Sequence, residues 1–179
     1  MNVILFGMKG CGKTTFGRKL AKKLNRAFID TDLLIEDFYE LNRGKKLTSH
    51  QIYEEIGPAG FRFLESEVIQ SLQDVQNSVV AVGGGAMMQI DNVEALKKTG
   101  LLIYLILDKE TLKKRSLEGA ELPAYLDPKD PERSFELLYS QRDDFYKRLG
   151  ATELIITNMK EDVIVDTIYS LFFESQKKA

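Results

Sequence analysis

The amino-acid sequence predicts an α/β fold, in which helices cover both faces of a parallel sheet. Short apolar runs alternate with longer segments of helical periodicity along the whole chain. Each run is too short for a helix and has the unbroken apolar character of a strand buried on both faces. Strand–helix alternation of this kind is typical of βαβ units with right-handed crossovers.

Five apolar runs are the predicted strands: Val3–Phe6, Ala27–Ile29, Val79–Val82, Leu101–Leu107 and Leu154–Ile156. The predicted helices are Lys13–Leu24, Leu33–Leu41, Ser49–Ile56, Gly60–Leu72, Val93–Lys98, Lys109–Leu117, Pro131–Leu149 and Asp162–Phe173. The chain has 179 residues, about the length of one domain, and shows neither a repeat nor a flexible linker. We therefore expect a single domain over residues 1–179.

Capping residues mark three helix starts. The pairs are Thr48 with Gln51, Asp91 with Glu94, and Asp130 with Pro131. Residues 118–129, before the last of these starts, contain Gly119, Pro123 and Pro128 and little periodicity. A loop of this length in a compact domain is usually functional, so we expect a lid over about 118–129.

Composition excludes several classes of protein. Apolar residues make up 44% of the chain and charged residues 29%, as is ordinary for a folded domain, and the net charge of −2 gives no basic surplus for nucleic acid. The longest apolar run, Leu101–Leu107, is far shorter than the roughly 20 residues of a membrane span, and the start does not resemble a secretory signal. We expect a cytoplasmic protein without nucleic-acid or membrane partners. With one cysteine and one histidine, any metal should be a hard cation bound by oxygens.

Residues 7–14, GMKGCGKT, match the phosphate-binding pattern G-x-x-x-x-G-K-[ST] between a predicted strand and a predicted helix. In this motif backbone N–H groups and the helix N-terminus surround phosphate oxygens. Lys13 would reach the β- and γ-phosphates, and the Thr14 hydroxyl would ligate Mg²⁺. The nucleotide-binding residues expected here are Gly10, Cys11, Gly12, Lys13, Thr14 and Thr15. The Cys11 side chain is either a small residue that fits the loop or an oxidisable thiol near the phosphate.

Two carboxylates, Asp30 and Asp32, follow the second predicted strand, where ligands bind in open α/β sheets. Alternation along an extended segment directs residues i and i+2 to the same side. One carboxylate could hold Mg²⁺, and the other could accept a hydrogen bond from a substrate hydroxyl. The alternative for Asp32 is that it caps the helix that follows.

Two arginines are further candidates for ligand binding. Arg62 has Glu65 one turn further on, where an ion pair can hold its guanidinium. Arg142 falls on an otherwise apolar row of its helix and therefore needs an acidic partner. That partner is either the carboxylate of a ligand or an acidic side chain on a neighbouring helix. The triplet Gly83–Gly85 ends the third strand, where it would allow a ligand to approach the backbone, or would form a plain turn.

Taken in order, these motifs resemble the shikimate kinase family, small P-loop kinases of the nucleoside-monophosphate-kinase type. The matching segments are GMKGCGKTTFGRKLA (7–21), FIDTD (28–32), FRFLE (61–65), GGGA (83–86) and RDDFY (142–146), and the resemblance spans nearly the whole chain. It implies a three-layer P-loop kinase fold with a five-stranded parallel sheet in the order 2-3-1-4-5, substrate-binding helices over about 33–72 and a lid loop. It also implies ATP-dependent phosphorylation of the 3-hydroxyl of shikimate, a step of the chorismate pathway to aromatic amino acids.

The resemblance assigns roles to individual residues. Asp32, Arg62, Gly84 and Arg142 would bind shikimate, with the two arginines taking its carboxylate. Asp32 would orient the 3-hydroxyl and could accept its proton.

For the nucleotide, the resemblance implies that Thr14 and Asp30 hold Mg²⁺ and that Lys13 stabilises charge on the γ-phosphoryl group. Arg115 matches a family arginine that stacks near the adenine. ATP and shikimate are thus the expected partners, Mg²⁺ the expected cofactor, and a monomer the expected state.

The sequence departs from the family pattern at two places. Pro58 follows Gly57 where the family usually has glutamate, and Leu122 stands where the lid normally has arginine. Loss of a charge-stabilising arginine can slow phosphoryl transfer by orders of magnitude. We therefore expect either slow turnover or a substitute cation, with Lys129 and Arg133 as nearby candidates.

Two alternatives remain open at the level of sequence. One is a kinase for another small molecule, such as gluconate or a nucleotide, although the Asp30-Thr31-Asp32 segment lacks the glycine and nearby histidine of gluconate kinases. The other is a non-catalytic homologue that binds ATP and shikimate without turnover. Leu122, in place of the lid arginine, suggests this alternative.

Overall fold

A computed structural model describes residues 1–119 and 122–177. The strands are β1 (Asn2–Phe6), β2 (Ala27–Asp30), β3 (Ser78–Ala81), β4 (Gly100–Ile106) and β5 (Thr152–Ile155). The α-helices are α1 (Lys13–Leu24), α2 (Thr31–Arg43), α3 (Ser49–Ser71), α4 (Ile90–Thr99), α5 (Lys109–Leu117), α6 (Pro131–Lys147) and α7 (Glu161–Gln176). A short 3₁₀ helix, Ala86–Met88, follows the glycine triplet. Among the residues described, no helix is long and apolar enough to cross a membrane.

The five strands form one parallel sheet in the order β2-β3-β1-β4-β5, which confirms the predicted α/β class and strand order. In the centre of the sheet, Leu5 of β1 lies between Ala81 of β3 and Ile103 of β4. Helix α1 packs against α7, and α3 packs against α4. Because all strands run the same way, their carboxyl ends meet at one edge of the sheet, where ligands bind in this class of fold.

The inner and outer strands differ in burial. Every residue of β1 and β3 is buried, as predicted. The prediction of burial on both faces is wrong for β2 and β5, in which only Leu154 is buried and Ile155 keeps 65% of its surface exposed. These two strands lie at the edges of the sheet, so each has a single neighbouring strand.

Helix α3 is kinked. Gly57 has φ 72° and ψ 171°, outside the helical region, and separates the two helices that the sequence predicts. A positive φ is accessible to glycine at little energetic penalty. Pro58 then begins the second half of α3, a position where the missing N–H of proline is tolerated.

The predicted helix caps are largely present. Thr48 and Gln51 form a reciprocal capping box, and the Asp130 side chain accepts a hydrogen bond from the N–H of Arg133. The prediction that Asp91 caps a helix is wrong, because α4 already begins at Ile90. Asp91 lies in the first turn instead, where its negative charge interacts favourably with the helix dipole.

Helices α2 and α3 share a small apolar core of their own, separate from the core around the sheet. Its members are Ile35, Tyr39, Ile52, Phe61, Leu64 and Val68. Since β2 ends at Asp30 and α2 begins at Thr31, this pair of helices starts at the carboxyl edge of the sheet. Helices α2 and α3 thereby form one wall of a cavity at this edge of the sheet.

Candidate active site

A cavity of about 110 Å³ lies beside the carboxyl ends of the strands, between the phosphate loop, helices α2, α3 and α6, and the segment after α5. Five of the predicted site residues line it: Lys13, Asp32, Arg62, Gly84 and Arg142. These residues come from five separate segments of the chain, so the fold brings together what the sequence places up to 129 positions apart. We call this space the substrate cavity.

A second cavity, the phosphate cleft, follows the loop between β1 and α1. The predicted nucleotide residues that line it are Gly10, Gly12, Lys13, Thr14, Thr15, Asp30 and Arg115. Four residues line both spaces: Lys9, Lys13, Asp32 and Gly83. A phosphoryl group held on the loop would therefore face a molecule held in the substrate cavity.

The phosphate loop depends on two left-handed glycines. Gly10 has φ 85° and Gly12 has φ 96°, and Gly12 directly precedes α1 without any side-chain cap on the helix. The first N–H groups of α1 are thus left to a ligand, as in other anion sites at helix starts. Cys11 is completely buried, and its N–H donates to the carbonyl of Met8 at 3.2 Å. The burial of Cys11 favours the interpretation that a small side chain fits the loop over that of an oxidisable thiol.

Two basic side chains brace the same loop through its carbonyl groups. The Lys13 ammonium donates to the carbonyl oxygens of Gly7 and Met8, each at 3.1 Å. The Arg115 guanidinium reaches across from α5 to the Gly10 carbonyl at 2.6 Å. Both cations are therefore positioned at the phosphate cleft.

Asp30 connects the phosphate loop to the start of α2, where Asp32 lies. One carboxylate oxygen accepts the Thr14 hydroxyl at 2.8 Å, and the other accepts the N–H of Asp32 at 3.1 Å. Asp30, rather than Asp32, is therefore the N-cap of α2, and the capping alternative for Asp32 is wrong. Between them, the buried Thr31 accepts the N–H of Gly83 at 2.9 Å, which ties the start of α2 to the glycine triplet.

The Thr14 and Asp30 oxygens fit a magnesium ion. In the described part of the chain no group of three or more His, Cys, Asp or Glu residues could hold a metal. Mg²⁺ does not need such a cage, since it commonly takes one or two protein oxygens together with phosphate oxygens and water. Two oxygens beside a phosphate cleft are this kind of partial donor set.

Asp32 faces both cavities. The residue as a whole is exposed, yet the protein atoms around its carboxyl group desolvate it and raise its pKa. The positive charge of Lys13 opposes this shift, as does Lys9 to a smaller extent. Asp32 can therefore serve as an acceptor for a hydroxyl group in the substrate cavity.

The two arginines differ in their partners. Arg62 forms the predicted ion pair with Glu65, which is only 2% exposed. Burial raises the pKa of the Glu65 carboxyl to about 7, against the opposing effect of Arg62. Arg142 is also buried, but within residues 1–119 and 122–177 no acidic side chain forms an ion pair with it. Its guanidinium lies instead over the ring of Tyr125, 5.1 Å from the centroid.

Each glycine of the triplet lies against one of the predicted substrate-binding side chains. A Cβ atom would meet Asp32 at Gly83, Arg142 at Gly84 and Arg62 at Gly85. The triplet thus gives these three side chains room beside the backbone, in addition to lining the cavity itself. Tyr146 holds the triplet in place, because its hydroxyl donates to the Gly84 carbonyl.

Several residues of the substrate cavity carry no motif in the sequence. They are Ser49, His50 and Tyr53 of α3, and Ala124 and Tyr125 of the predicted lid. Residues 120 and 121 of that lid lie outside the described chain. Leu122 packs against the main core and lines neither cavity.

Comparison with known proteins agrees with this geometry. The family pattern described as "Shikimate kinase" matches residues 9–172. The shikimate kinase of Symbiobacterium thermophilum is 35% identical over 173 residues, 96% of each chain, and that of Burkholderia lata is 38% identical over 82% of this chain and 76% of its own. The structure of Acinetobacter baumannii shikimate kinase in complex with shikimate superimposes with a TM-score of 0.84 at 32% identity, over 97% of this chain and 93% of that one. A match of this extent in sequence and fold places the chain in the shikimate kinase family.

Proposed function

We propose that the protein transfers the γ-phosphoryl group of ATP to the 3-hydroxyl of shikimate. The observation that carries the proposal is the junction of the two cavities at Lys13 and Asp32, with two arginines inside the substrate cavity. A phosphate donor and a small carboxylate-bearing acceptor would meet at that junction. Relatives named shikimate kinase, at 35–38% identity, support the choice of acceptor.

The arginines bind the carboxylate of shikimate in this proposal. Arg142 offers a buried guanidinium that already stacks on Tyr125 and forms no ion pair with an acidic side chain in the chain described. Arg62 extends from α3, where Glu65 orients it, and its guanidinium lies against Gly85. Two guanidinium groups can grip one carboxylate through several charge-assisted hydrogen bonds, while the Gly84 backbone contacts the ring substituents.

The chemical step is an in-line displacement at phosphorus. The 3-hydroxyl oxygen forms the new bond to the γ-phosphorus, the bond from that phosphorus to the bridging oxygen breaks, and ADP leaves with the bonding electrons. Asp32 orients the hydroxyl and accepts its proton, a role that the raised pKa of its carboxyl favours. Positioning and electrostatic stabilisation suffice for most of the rate enhancement in this class of reaction.

The nucleotide occupies the phosphate cleft. N–H groups of the loop and of α1 hold its phosphates, and Lys13 stabilises charge on the γ-phosphoryl group. Thr14 and Asp30 would hold Mg²⁺, which when bound neutralises charge on the β- and γ-phosphates. Arg115 lines both the phosphate cleft and a neighbouring pocket near Leu107 and Met159, where the proposal places the adenine.

A coupled ADP-release assay tests the proposal. With ATP and Mg²⁺ present, shikimate, gluconate and nucleoside monophosphates are added one at a time. We expect release with shikimate alone, and a reduction of kcat by about 10²- to 10⁴-fold in Asp32→Asn. Release with gluconate or a nucleotide instead would move the protein to another kinase specificity. Calorimetric binding of shikimate without turnover would identify a non-catalytic homologue.

We also propose that the protein is a monomer with a single domain over residues 1–179. Its proposed location is the cytoplasm, where ATP is available as the phosphoryl donor. The substrate cavity and the phosphate cleft are both lined by residues of a single copy, which supports the monomer. Light scattering during size-exclusion chromatography tests the monomer directly. A dimer whose dissociation abolished activity would contradict it.

A further inference from the structure

The lid of this protein lacks the cation that the family pattern leads one to expect. Leu122 occupies the aligned position, and its side chain packs against the main apolar core. Of the lid residues described, those that line the substrate cavity are Ala124 and Tyr125, and neither carries a charge. A cation that replaces the lid arginine would therefore have to come from elsewhere in the chain.

Lys9 has the position that this role requires. It is one of four residues that line both cavities, and the other cation among them is Lys13. Its side chain is exposed, and in the part of the chain that the structure describes no ion pair engages it. We propose that Lys9 contacts the γ-phosphoryl group during transfer and replaces the cation of the lid, an assignment that rests on the proposed function.

The two other candidate cations, Lys129 at the end of the predicted lid and Arg133 just after it, are less suited to this role. Lys129 and Arg133 are both exposed, and neither lines the substrate cavity or the phosphate cleft. The cavity arginines, Arg62 and Arg142, lie with the glycine triplet on the side assigned to the carboxylate. Lys9 thus combines access to the junction with an ammonium group that forms no ion pair among the residues described.

A second lysine on the phosphate loop would add positive charge next to the transferring phosphoryl group. Negative charge in the transition state spreads over three equatorial oxygens of the γ-phosphoryl group, more than one ammonium can neutralise. The Lys13 ammonium lies across the loop at the carbonyl groups of Gly7 and Met8, and Lys9 directly follows Met8 in the same loop. A lysine acts on phosphate as a point charge and does not need the bidentate geometry of arginine. Because Lys9 is part of the loop, its charge is in place before any movement of the lid.

Substitution of Lys9 tests the assignment. In Lys9→Met we expect kcat to fall by about 10²- to 10³-fold, with the KM for shikimate unchanged, and in Lys9→Arg we expect most of the activity to remain. Lys129→Ala and Arg133→Ala are the matched controls and should retain the kcat of the unmodified protein. Calorimetry on Lys9→Met should show weaker binding of ATP and unchanged binding of ADP, since only ATP has the γ-phosphoryl group.

Three results would overturn the assignment. They are an unchanged kcat in Lys9→Met, a loss of kcat in Lys129→Ala or Arg133→Ala instead, and equal weakening of ATP and ADP, which would mean that Lys9 maintains the loop. Failure of the proposed function is distinguishable, because the unmodified protein would then release no ADP with shikimate. The ATP and ADP affinities of Lys9→Met would decide the role of Lys9 even in that case.

Discussion

The guanidinium of Arg142 lies 5.1 Å from the ring centroid of Tyr125, so a buried arginine of α6 is stacked on an aromatic side chain of the predicted lid. Both residues line the substrate cavity. The side chain assigned to the carboxylate of shikimate is therefore also a contact that holds the lid. Binding of substrate and the position of the lid should be coupled through this pair.

Replacement of Tyr125 tests that coupling. A cation–π contact contributes about 0.5–2 kcal/mol, so Tyr125→Ala should raise the KM for shikimate by about 3- to 30-fold. Poorer closure should also increase hydrolysis of ATP relative to transfer, measured as ADP released per shikimate 3-phosphate formed. Tyr125→Phe retains the ring and should behave like the unmodified protein. Equal KM values in both variants would contradict the coupling.

Gly85→Ala should damage substrate binding selectively. The added Cβ would collide with the Arg62 guanidinium, the mobile end of a long side chain, so Arg62 should move while the backbone stays. We expect the KM for shikimate to rise about tenfold, the equivalent of roughly 1.4 kcal/mol, and the KM for ATP to stay constant. Gly60→Ala, on α3, where the added Cβ would meet Ile56 and not the Arg62 guanidinium, is the control for the added methyl group. Parallel changes in both KM values would argue against displacement of Arg62.

Tyr146→Phe should loosen the glycine triplet. The ring of Tyr146 is 1% exposed and packs edge-on against Phe6 and Tyr104, so removal of the hydroxyl leaves the aromatic packing intact. Burial also raises the pKa of Tyr146, which keeps the hydroxyl protonated as a donor to the Gly84 carbonyl. Loss of that hydrogen bond should lower the free energy of unfolding by about 1 kcal/mol and raise the KM for shikimate. A stability loss without any change in KM would restrict Tyr146 to a structural role.

The phosphate loop could be predicted from the sequence because its function depends on contiguous residues. Helices α1 and α5 begin and end where the periodicity predicts, since their boundaries are also set locally. The sequence also predicts that the two carboxylates at the junction of β2 and α2, Asp30 and Asp32, belong to the site, but it does not decide which of them caps the helix. The start of α2 at Thr31 decides that Asp30 is the cap and leaves Asp32 to the cavities.

Other parts of the site depend on packing that no local pattern records. Ser49, His50 and Tyr53 line the substrate cavity because α3 packs against α2 through their shared apolar core. Tyr125 lies in a segment without periodicity, so the sequence gives no sign that its ring contacts the Arg142 guanidinium. Exposure of β2 and β5 likewise follows from strand order, which is a property of the whole sheet.

The stability of the protein should depend on pH through Glu65. Burial disfavours the charged carboxylate and raises the pKa of Glu65 in the folded state to about 7, from its ordinary value of 4.5. Between these two values the folded state binds the proton more tightly than the unfolded state, so the free energy of unfolding should fall as pH rises. The loss attributable to Glu65 should reach about 3 kcal/mol and be complete once the pH has passed 7.

Urea unfolding of the unmodified protein and of Glu65→Gln at pH 5 and pH 8 measures this contribution. The glutamine variant has no carboxyl group to ionise, so its free energy of unfolding should fall less between the two pH values, and the difference between the proteins isolates Glu65. Glu67→Gln removes an exposed carboxylate from the same helix and should follow the unmodified protein. Because Arg62 pairs with Glu65, the glutamine variant should also bind shikimate more weakly at pH 8, where the unmodified carboxylate is ionised and orients the guanidinium. Parallel pH curves for the unmodified protein and Glu65→Gln would show that Glu65 takes no part in the pH dependence.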